Sequence, residues 1–508
     1  MTRRSTASVR LGARPTRATA TEEHPLDLTA GTLLPVATAV TVLLLAVSGW
    51  APRGARRRCV VVATALVLLC GVTTVVAQGW RWQLGPVLVA AALAAEVTRR
   101  RLRDPDLPRS AVPPAQRRGR VLVVIAGVAG AGLALTGAVA AWAFPVLALP
   151  APSGPAAVGT LVVEWVDAER EEPATPDPGD HRAVVAQLWY PAAASDGPGV
   201  LYLGRDAREA GLVASGVAAL YGLPPFILDD AARGRSAAVS GAVPQAGTAR
   251  WPVVLFSPGL GGLRTQNTAW AQDLASHGYV VVALDHPYDS AVVVRDDGSV
   301  VRSSTTASGD AAEDARRAQG WAEVRAADLR FALTVLGELD RGERAGAPML
   351  AGRLDVQRAA AVGHSMGGAA ALLAAAADDR FDAVVDVDGF PRGDGVRPRQ
   401  PALALVAGRG LGDPDGDDAY AAALEEVLRE AVPGYRLTVP GAAHLTFTDA
   451  PLYLPPVPSM MGDIGRERAH RLTTDATRSF LDAVLRGEGA DVLADELAAF
   501  GRVESLGR

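Results

Sequence analysis

The sequence predicts an α/β fold, a mostly parallel sheet with helices on both faces, preceded by an all-α transmembrane region of about four helices. Two observations carry this prediction. Apolar stretches fill residues 28–149, whereas beyond residue 160 short β-branched runs alternate with longer amphipathic ones. A chain of 508 residues also exceeds one ordinary domain. The 50 basic and 55 acidic residues are nearly balanced, so nothing indicates a nucleic-acid partner.

The N-terminal part contains four apolar stretches after a tail of residues 1–27. They are Leu28–Trp50, Cys59–Ala77, Trp82–Val97 and Val121–Leu149. The first, second and fourth are long enough to cross a hydrocarbon layer of about 30 Å as helices. The third stretch, Trp82–Val97, carries Glu96 and is marginal in length. We therefore expect an integral, multi-pass protein of the cell membrane. Only two cysteines, Cys59 and Cys70, are present, and both lie in one apolar stretch, which argues against a disulfide framework or a cysteine metal site.

The arginines between these stretches predict the orientation. Loops 51–58 and 99–120 carry four and eight arginines, against five in the tail and one in residues 78–81. Because positively charged loops remain in the cytoplasm, both termini and everything after Leu149 are expected on the other side. If the marginal third stretch does not span, the number of crossings becomes three, and the predicted side of the membrane no longer follows for the two termini together.

Residues 150–160 are rich in Pro, Gly and Ala and are predicted to be a linker. A catalytic domain is predicted over residues 161–490, followed by a tail of residues 491–508. Its strands are predicted at Leu161–Val166, Val184–Tyr190, Val253–Ser257, Val280–Asp285, Ala359–Val362, Ala383–Val387, Ala402–Val406 and Arg436–Val439. Its helices are predicted at Thr268–His277, Ala311–Glu338, Met366–Ala377, Ala419–Ala431 and Thr473–Arg486. Segments 199–250 and 449–466 interrupt this pattern and are possible lids or interfacial surfaces, or else ordinary packing against the core.

One short run carries a candidate nucleophile. The residues Gly363-His364-Ser365-Met366-Gly367 match the pattern G-x-S-x-G, in which the serine lies at a sharp turn between a strand and a helix. The pattern alone is weak in a glycine-rich chain. A predicted strand precedes Ser365, however, and a helix of small residues follows it. The elbow glycines Gly363 and Gly367 would let neighbouring backbones pass closely, and Ser365 is the predicted nucleophile.

A serine nucleophile needs a base, and among the seven histidines only His444 follows Ser365 in a loop after a strand. The acid should come from the strand after the serine helix, where Asp386 and Asp388 point to the same face. We favour Asp388 because it lies at the carboxyl tip of the strand, where the sites of such sheets open. Asp386 remains the alternative. A carboxylate deeper in an apolar strand would be costly unless paired.

The oxyanion that forms during acyl transfer needs backbone donors. One is expected from the amide of Met366, directly after the serine. The other should come from the loop after an earlier strand, and Gly259-Leu260-Gly261-Gly262 is such a loop, with little side chain to obstruct its amides. The alternative interpretation is that this loop is an ordinary turn with no part in binding an oxyanion.

Over about residues 154–485 the chain resembles the isoform II platelet-activating factor acetylhydrolases and their bacterial relatives. The resemblance rests on the opening strands GPAAVGTLVVEWVD and AQLWYP, the stretch FSPGLGGLRTQNTAWAQDLASHGYVVVALDHPYDS, the elbow GHSMGG, the acid strand VDVDGF and the loop GAAHLTFTD. It implies an α/β-hydrolase with Ser365 as nucleophile, Asp388 as acid, His444 as base and the amides of Leu260 and Met366 as oxyanion hole. One position differs from the family pattern: this chain has Pro258 where the family often has a histidine before the glycine.

The resemblance further implies ester hydrolysis through an acyl-enzyme, without metal or cofactor, on phospholipids with a short or oxidised acyl chain. The residues themselves indicate only an apolar, lipid-like or small ester. General carboxylesterase, lipase, polyester or peptide hydrolase and acyltransferase chemistry would use the same site. An inert membrane sensor would instead be expected to have lost part of the triad or oxyanion loop. The resemblance says nothing of the N-terminal region, and the acyl chain, head group and oligomeric state are left open.

Overall fold

The computed structural model describes residues 30–103, 114–393, 395–410, 412 and 414–507. The predicted N-terminal tail lies outside these residues, as does the middle of the arginine-rich loop 99–120. Four helices form the N-terminal region, in the places where the apolar stretches predict them. They are α1 (Ala30–Ser48), α2 (Arg53–Gln78), α3 (Leu84–Arg103) and α4 (Pro114–Ala143).

Two of these helices, not four, are long and apolar enough to cross a membrane within the described part of the chain. They are Gly54–Gln78 in α2 and Gly119–Ala143 in α4. The prediction of about four spans is therefore corrected to two. The reasons differ between the two remaining helices, α1 and α3. Over the described side chains, the apolar part of α1 covers Leu33–Ser48, which is shorter than a membrane span. In α3 the carboxylate of Glu96 pairs with Arg99 and Arg100 at 2.7 and 2.6 Å, so the second half of this helix is charged.

Small residues let the four helices pack closely. Ala39 of α1, Ala90 of α3 and Ala134 of α4 are buried in one cluster. A Cβ atom on Gly137 of α4 would lie 2.4 Å from Val87 of α3, so only glycine fits this crossing. The outward faces of α2 and α4 expose apolar side chains, among them Leu68, Leu69, Val76, Val128 and Leu135.

The remainder of the chain forms one 11-stranded sheet, with a separate hairpin of β7 and β8. The strands are β1 (Ala157–Glu171), β2 (His181–Ala192), β3 (Gly199–Leu201), β4 (Arg235–Ser240), β5 (Trp251–Ser257), β6 (Val280–Asp285), β7 (Val292–Val294), β8 (Val300–Arg302), β9 (Leu354–His364), β10 (Ala383–Val387), β11 (Ala402–Ala407), β12 (Gly434–Val439) and β13 (Arg502–Ser505). Their order is β13-β12-β11-β10-β9-β5-β6-β2-β1-β4-β3. The six central strands, from β12 to β6, are mutually parallel, and antiparallel pairs flank them on both sides.

Helices cover both faces of this sheet. They are α5 (Ala207–Leu220), α6 (Asp229–Arg233), α7 (Thr268–Ser276), α8 (Ala311–Asp340), α9 (Met366–Ala377), α10 (Pro414–Val427), α11 (Pro458–Met461), α12 (Arg466–Leu481) and α13 (Leu493–Ala498). Helices α8, α9 and α10 pack on one face, and α7, α12 and α13 on the other. The central strands are buried on both faces, which explains why they appear in the sequence as continuous apolar runs.

All eight predicted strands and all five predicted helices are present; β6, β10 and α9 have the predicted ends, and the others have shifted ends. Two boundaries are corrected. Strand β1 begins at Ala157, inside the predicted linker. The predicted tail 491–508 instead contributes α13, whose Leu497 is fully buried, and β13, which pairs with β12. Segment 199–250 is not irregular, since it holds β3, α5, α6 and β4; residues 207–233 are called the cap below.

Candidate active site

The strand register brings the predicted site residues to one edge of the sheet. In β9, Gly363 lies beside Ser257 of β5 on one side and Asp386 of β10 on the other. The segments that follow these three strands therefore meet at their carboxyl ends. Ser365 follows β9, Asp388 follows β10, and the glycine loop follows β5. The loop with His444 follows β12, two strands beyond β10.

Ser365 lies at a turn that few residues adopt. Its φ is 56° and its ψ is −122°, between the end of β9 and the first residue of α9. The turn is possible because its neighbours lack side chains. A Cβ on Gly363 would lie 2.0 Å from the carbonyl oxygen of Gly367, and one on Gly367 would lie 2.0 Å from that of Ser257. The two predicted elbow glycines are thus sterically required.

The two candidate carboxylates have different surroundings. Asp388 Oδ2 lies 2.7 Å from His444 Nδ1, and Asp388 Oδ1 accepts a hydrogen bond from the amide of Ala407 at 2.8 Å. Asp386 is fully buried, and its Oδ1 accepts from the amide of Gly389 at 3.0 Å. Burial, together with the neighbouring Asp388, raises the pKa of Asp386 well above its usual range. Of the two, Asp388 is therefore the carboxylate that contacts the imidazole of His444.

His444 is held at its backbone while its imidazole remains open to solvent. The side chain is 44% exposed. Its carbonyl oxygen lies 2.9 Å from Nε2 of His364, the residue before the serine. Within the described residues Ser365 Oγ makes no hydrogen bond to His444. The arrangement thus brings Asp388 and His444 into direct contact and leaves the serine beside them, partly exposed.

Sequence reasoning missed the role of Gln266. Its Nε2 lies 3.0 Å from His364 Nδ1, and its Oε1 accepts a hydrogen bond from the amide of Gly259 at 3.1 Å. Burial and the nearby His444 lower the pKa of His364 to about 3, so its ring is neutral. It accepts at Nδ1 from the Gln266 amide and donates at Nε2 to the His444 carbonyl. Gln266 and His364 thereby tie the glycine loop to the histidine loop.

Among the described residues, neither of the two predicted oxyanion donors, both backbone amides, has a hydrogen-bond acceptor outside its own helix or loop. The amide of Leu260 makes no hydrogen bond to any residue that the structure describes. Met366 opens α9, and the first amides of a helix have no acceptor within it. A Cβ on Gly259 would lie 3.4 Å from Ser365 Cβ, so the glycine loop passes directly beside the serine.

A buried arginine, also missed from the sequence, supports that loop. The guanidinium of Arg325 in α8 is fully buried and donates to the carbonyl oxygens of Pro258 at 2.5 Å and Gly259 at 3.0 Å. It also pairs with both carboxylate oxygens of Asp289 at 2.6 Å. Asp289 Oδ1 in turn accepts from the amide of Gly261 at 3.3 Å. Burial alone would raise the pKa of Asp289, but Arg325 lowers it, so the pair is ionic.

A second set of a serine, a histidine and an aspartate lies behind the loop. Ser257 Oγ is 2.9 Å from His286 Nε2, and His286 Nδ1 is 2.8 Å from Asp328 Oδ2. All three residues are fully buried. Asp328 also accepts from Arg182 at 2.6 Å and from Arg170 at 2.8 Å. We call Ser257, His286 and Asp328 the buried set, and Ser365, His444 and Asp388 the open set.

Comparison with known proteins agrees with this architecture. The chain is 26% identical to platelet-activating factor acetylhydrolase of Cavia porcellus, over 46% of this chain and 58% of that protein. It is also 26% identical to a probable 1-alkyl-2-acetylglycerophosphocholine esterase of Arthroderma benhamiae, over 39% and 49% of the two chains. The chain thus spans about half the length of these curated relatives.

A solved structure is similar over a larger share of this chain. Ferulic acid esterase from Streptomyces cinnamoneus is 29% identical, with a TM-score of 0.56, over 70% of this chain and 98% of its own. The predicted α/β-hydrolase fold is confirmed. The sequence profile of the family described as platelet-activating factor acetylhydrolase, isoform II, matches residues 147–488. This chain therefore belongs to the isoform II platelet-activating factor acetylhydrolase family.

Proposed function

We propose that this protein is a serine carboxylic-ester hydrolase in which Ser365 is the nucleophile, His444 the base and Asp388 the acid. The observation that carries the proposal is the 2.7 Å contact between Asp388 Oδ2 and His444 Nδ1 at the sheet edge that also carries the serine elbow. This contact leaves His444 Nε2 as the nitrogen available to a hydroxyl proton. The names of the relatives and of the structural neighbour, all esterases or acetylhydrolases, support the same chemistry.

The reaction follows from these roles. Ser365 Oγ attacks the ester carbonyl carbon as its proton passes to His444 Nε2, and Asp388 stabilises the imidazolium that forms. The amides of Leu260 and Met366 donate to the developing oxyanion. His444 then protonates the leaving alkoxide, and a water activated by the same imidazole hydrolyses the acyl-enzyme. This transfer requires that His444 Nε2 reach hydrogen-bond distance of the serine hydroxyl when substrate binds.

For the substrate we propose a lipid-like ester with a short acyl group, such as the 2-acetyl group that the name of one relative specifies. The structural neighbour acts on ferulic acid esters, which favours a bulkier acyl group as second candidate. General esterase, lipase, polyester hydrolase and acyltransferase activities would use the same residues. Assays with acetyl, feruloyl and long-chain esters, with and without an alcohol acceptor, separate these possibilities.

We also propose that the helical region is a multi-pass membrane anchor with the catalytic domain outside the cytoplasm. Support comes from the charge distribution. Arg56 Nη1 at the start of α2 lies 3.5 Å from the carbonyl oxygen of Arg101 near the end of α3, so both arginine-rich segments lie at one end of the bundle. The opposite end, with Arg81, contacts the catalytic domain. Because arginine-rich ends remain cytoplasmic, the catalytic domain would face away from the cytoplasm.

Fluorophosphonate labelling tests both proposals. A membrane-permeant probe applied to lysates should label the wild type, and Ser365→Ala should abolish the label. His444→Ala should reduce it strongly because the serine then lacks its base. An impermeant probe should give the same pattern on intact cells. Absence of label in the wild-type lysate would refute the nucleophile assignment, and label in lysates but not on intact cells would refute the orientation.

A further inference from the structure

The cap joins the helical region through a buried ion pair. Arg81, in the loop between α2 and α3, donates from Nε to Asp230 Oδ2 of α6 at 2.9 Å, and Gln83 donates to the same oxygen at 2.9 Å. The side chain of Arg81 is fully buried and that of Asp230 is 6% exposed. Breaking a buried pair of this kind is costly, since it leaves one charge without a partner. The cap is therefore fixed to the helical bundle.

Three further contacts strengthen this junction. The ring of Trp82 packs against Phe226 of the cap, with centroids 5.4 Å apart. Arg233 donates to the carbonyl oxygen of Trp80 at 2.5 Å. Arg81 Nη2 also donates to the carbonyl oxygen of Phe144, directly after α4, at 2.8 Å. The ends of both long apolar helices thus meet at the base of the cap.

The other end of the cap reaches the candidate active site. Glu209 in α5 accepts a hydrogen bond from Arg264, just beyond the glycine loop, at 2.7 Å. At the far end of α5, Leu220 lies against the glycine loop itself, since a Cβ on Gly261 would be 2.5 Å from Leu220 Cδ2. Helix α5 has 14 residues, about 21 Å at 1.5 Å per residue. The cap therefore contacts the helical region through Phe226, Asp230 and Arg233, and the loop beside Ser365 through Leu220 of α5.

An exposed apolar strip follows this link. Its members are large apolar side chains between 41% and 63% exposed, and they run from the end of α2 to the glycine loop. They are Trp80, Phe226, Leu223, Tyr221, Leu220 and Leu260. The strip begins where the exposed apolar face of α2 ends, at Val76, which is 80% exposed. Four of the six lie within residues 220–226 of the cap, and large apolar side chains exposed together in this way favour an interaction site.

We propose that this strip is the entry path for the ester, and that the ester comes from the membrane leaflet that surrounds α2 and α4. The inference rests on the proposed function and names the source of its substrate. A lipid already in the leaflet would move along Phe226 and Leu223 with its acyl chain on apolar side chains. Its ester group would reach the glycine loop without full exposure to water. The Arg81–Asp230 pair keeps the path continuous, because it fixes the cap to the end of α2.

The test compares two acetyl esters of nitrophenols. The full chain is reconstituted in phosphatidylcholine vesicles and assayed with water-soluble p-nitrophenyl acetate and with 4-hexadecyl-2-nitrophenyl acetate embedded in the vesicles. The double variant Tyr221→Asp/Leu223→Asp should lose roughly tenfold in rate on the embedded ester, because two carboxylates replace apolar contacts on the path. Its rate on the soluble ester should remain within about twofold, because neither side chain is assigned a part in the chemistry.

Met349→Asp is the matched control. Met349 is 39% exposed and lies just before β9, at the sheet edge opposite to the candidate site. It should change neither rate. Equal rates of the double variant and the wild type on the embedded ester would overturn the entry path, as would equal losses on both esters in a folded variant. If the double variant does not fold, Leu223→Ser replaces it and should still reduce the embedded-ester rate selectively. A wild type inactive on both esters would instead refute the proposed function.

Discussion

The open set and the buried set have almost the same hydrogen-bond lengths but opposite surroundings. The histidine-to-aspartate contact is 2.7 Å between His444 and Asp388, and 2.8 Å between His286 and Asp328. In the buried set the serine even lies within hydrogen-bond distance of its histidine, at 2.9 Å. Judged by hydrogen bonds alone, the buried set would be the better triad. The comparison teaches that hydrogen-bond lengths alone do not distinguish the two serines, whereas backbone conformation and exposure to solvent do.

Three differences separate the sets. Ser365 has a φ of 56° at an elbow and is partly exposed, whereas Ser257 is the last residue of a buried strand. Burial and the nearby Arg325 lower the pKa of His286 to about 4, so this imidazole resists taking up a proton. Burial would raise the pKa of Asp328, but Arg182 and His286 lower it below its ordinary value. The buried set is thus a neutral imidazole held by a permanently ionised carboxylate.

The largest expected difference between the sets lies at their aspartates. Asp388→Asn should reduce kcat by roughly 10⁴-fold, because the amide favours the wrong imidazole tautomer and cannot stabilise the imidazolium. Unfolding should be little affected, since Asp388 pairs with an exposed side chain. Steady-state kinetics with p-nitrophenyl acetate, together with a thermal unfolding curve, checks both statements.

Asp328→Asn is the counterpart in the buried set. It should lower the free energy of unfolding by about 3–5 kcal/mol, because Arg182 then loses a charged partner in the interior. The kcat per folded molecule should remain within a few-fold of the wild type. A 10⁴-fold loss of kcat in folded Asp328→Asn, with Asp388→Asn active, would exchange the roles of the two sets.

The sequence predicts the open set better than the supports behind it, for a physical reason. Parallel strands end at one edge of a sheet, so chain order alone brings Ser365, Asp388 and His444 together. Arg325 and Asp328 contact residues 36 to 158 positions away, and no local pattern predicts such pairs. Their one signal is charge on the buried face of α8, whose other members are alanines, leucines, one valine and one glycine. The edge strand β13 was missed because strands of 4 residues have almost no periodicity.

Arg325 connects the two sets, so its substitution sharpens the comparison. Arg325→Lys keeps the charge but cannot contact Asp289 twice and also reach the carbonyl oxygens of Pro258 and Gly259. We expect kcat to fall roughly 10-fold to 100-fold with KM little changed, because the Leu260 amide is no longer held in place for the transition state. Affinity for a trifluoromethyl ketone, which forms the same oxyanion, should weaken in parallel. A variant with lower stability but unchanged kcat and inhibitor affinity would limit Arg325 to a structural role.

The smallest expected effect belongs to Ser257, and it tests the comparison most directly. Ser257→Ala removes the hydroxyl between His286 Nε2 and Arg325 Nη1, which lie 2.9 and 3.3 Å away. The free energy of unfolding should fall by about 1 kcal/mol, the usual net contribution of one hydrogen bond. Fluorophosphonate labelling and kcat should remain within about twofold of the wild type, because Ser365 and its elbow are untouched. If labelling disappears in folded Ser257→Ala but persists in Ser365→Ala, the buried hydroxyl is the nucleophile. Hydrogen-bond geometry would then identify the reactive serine better than backbone strain and access to substrate do.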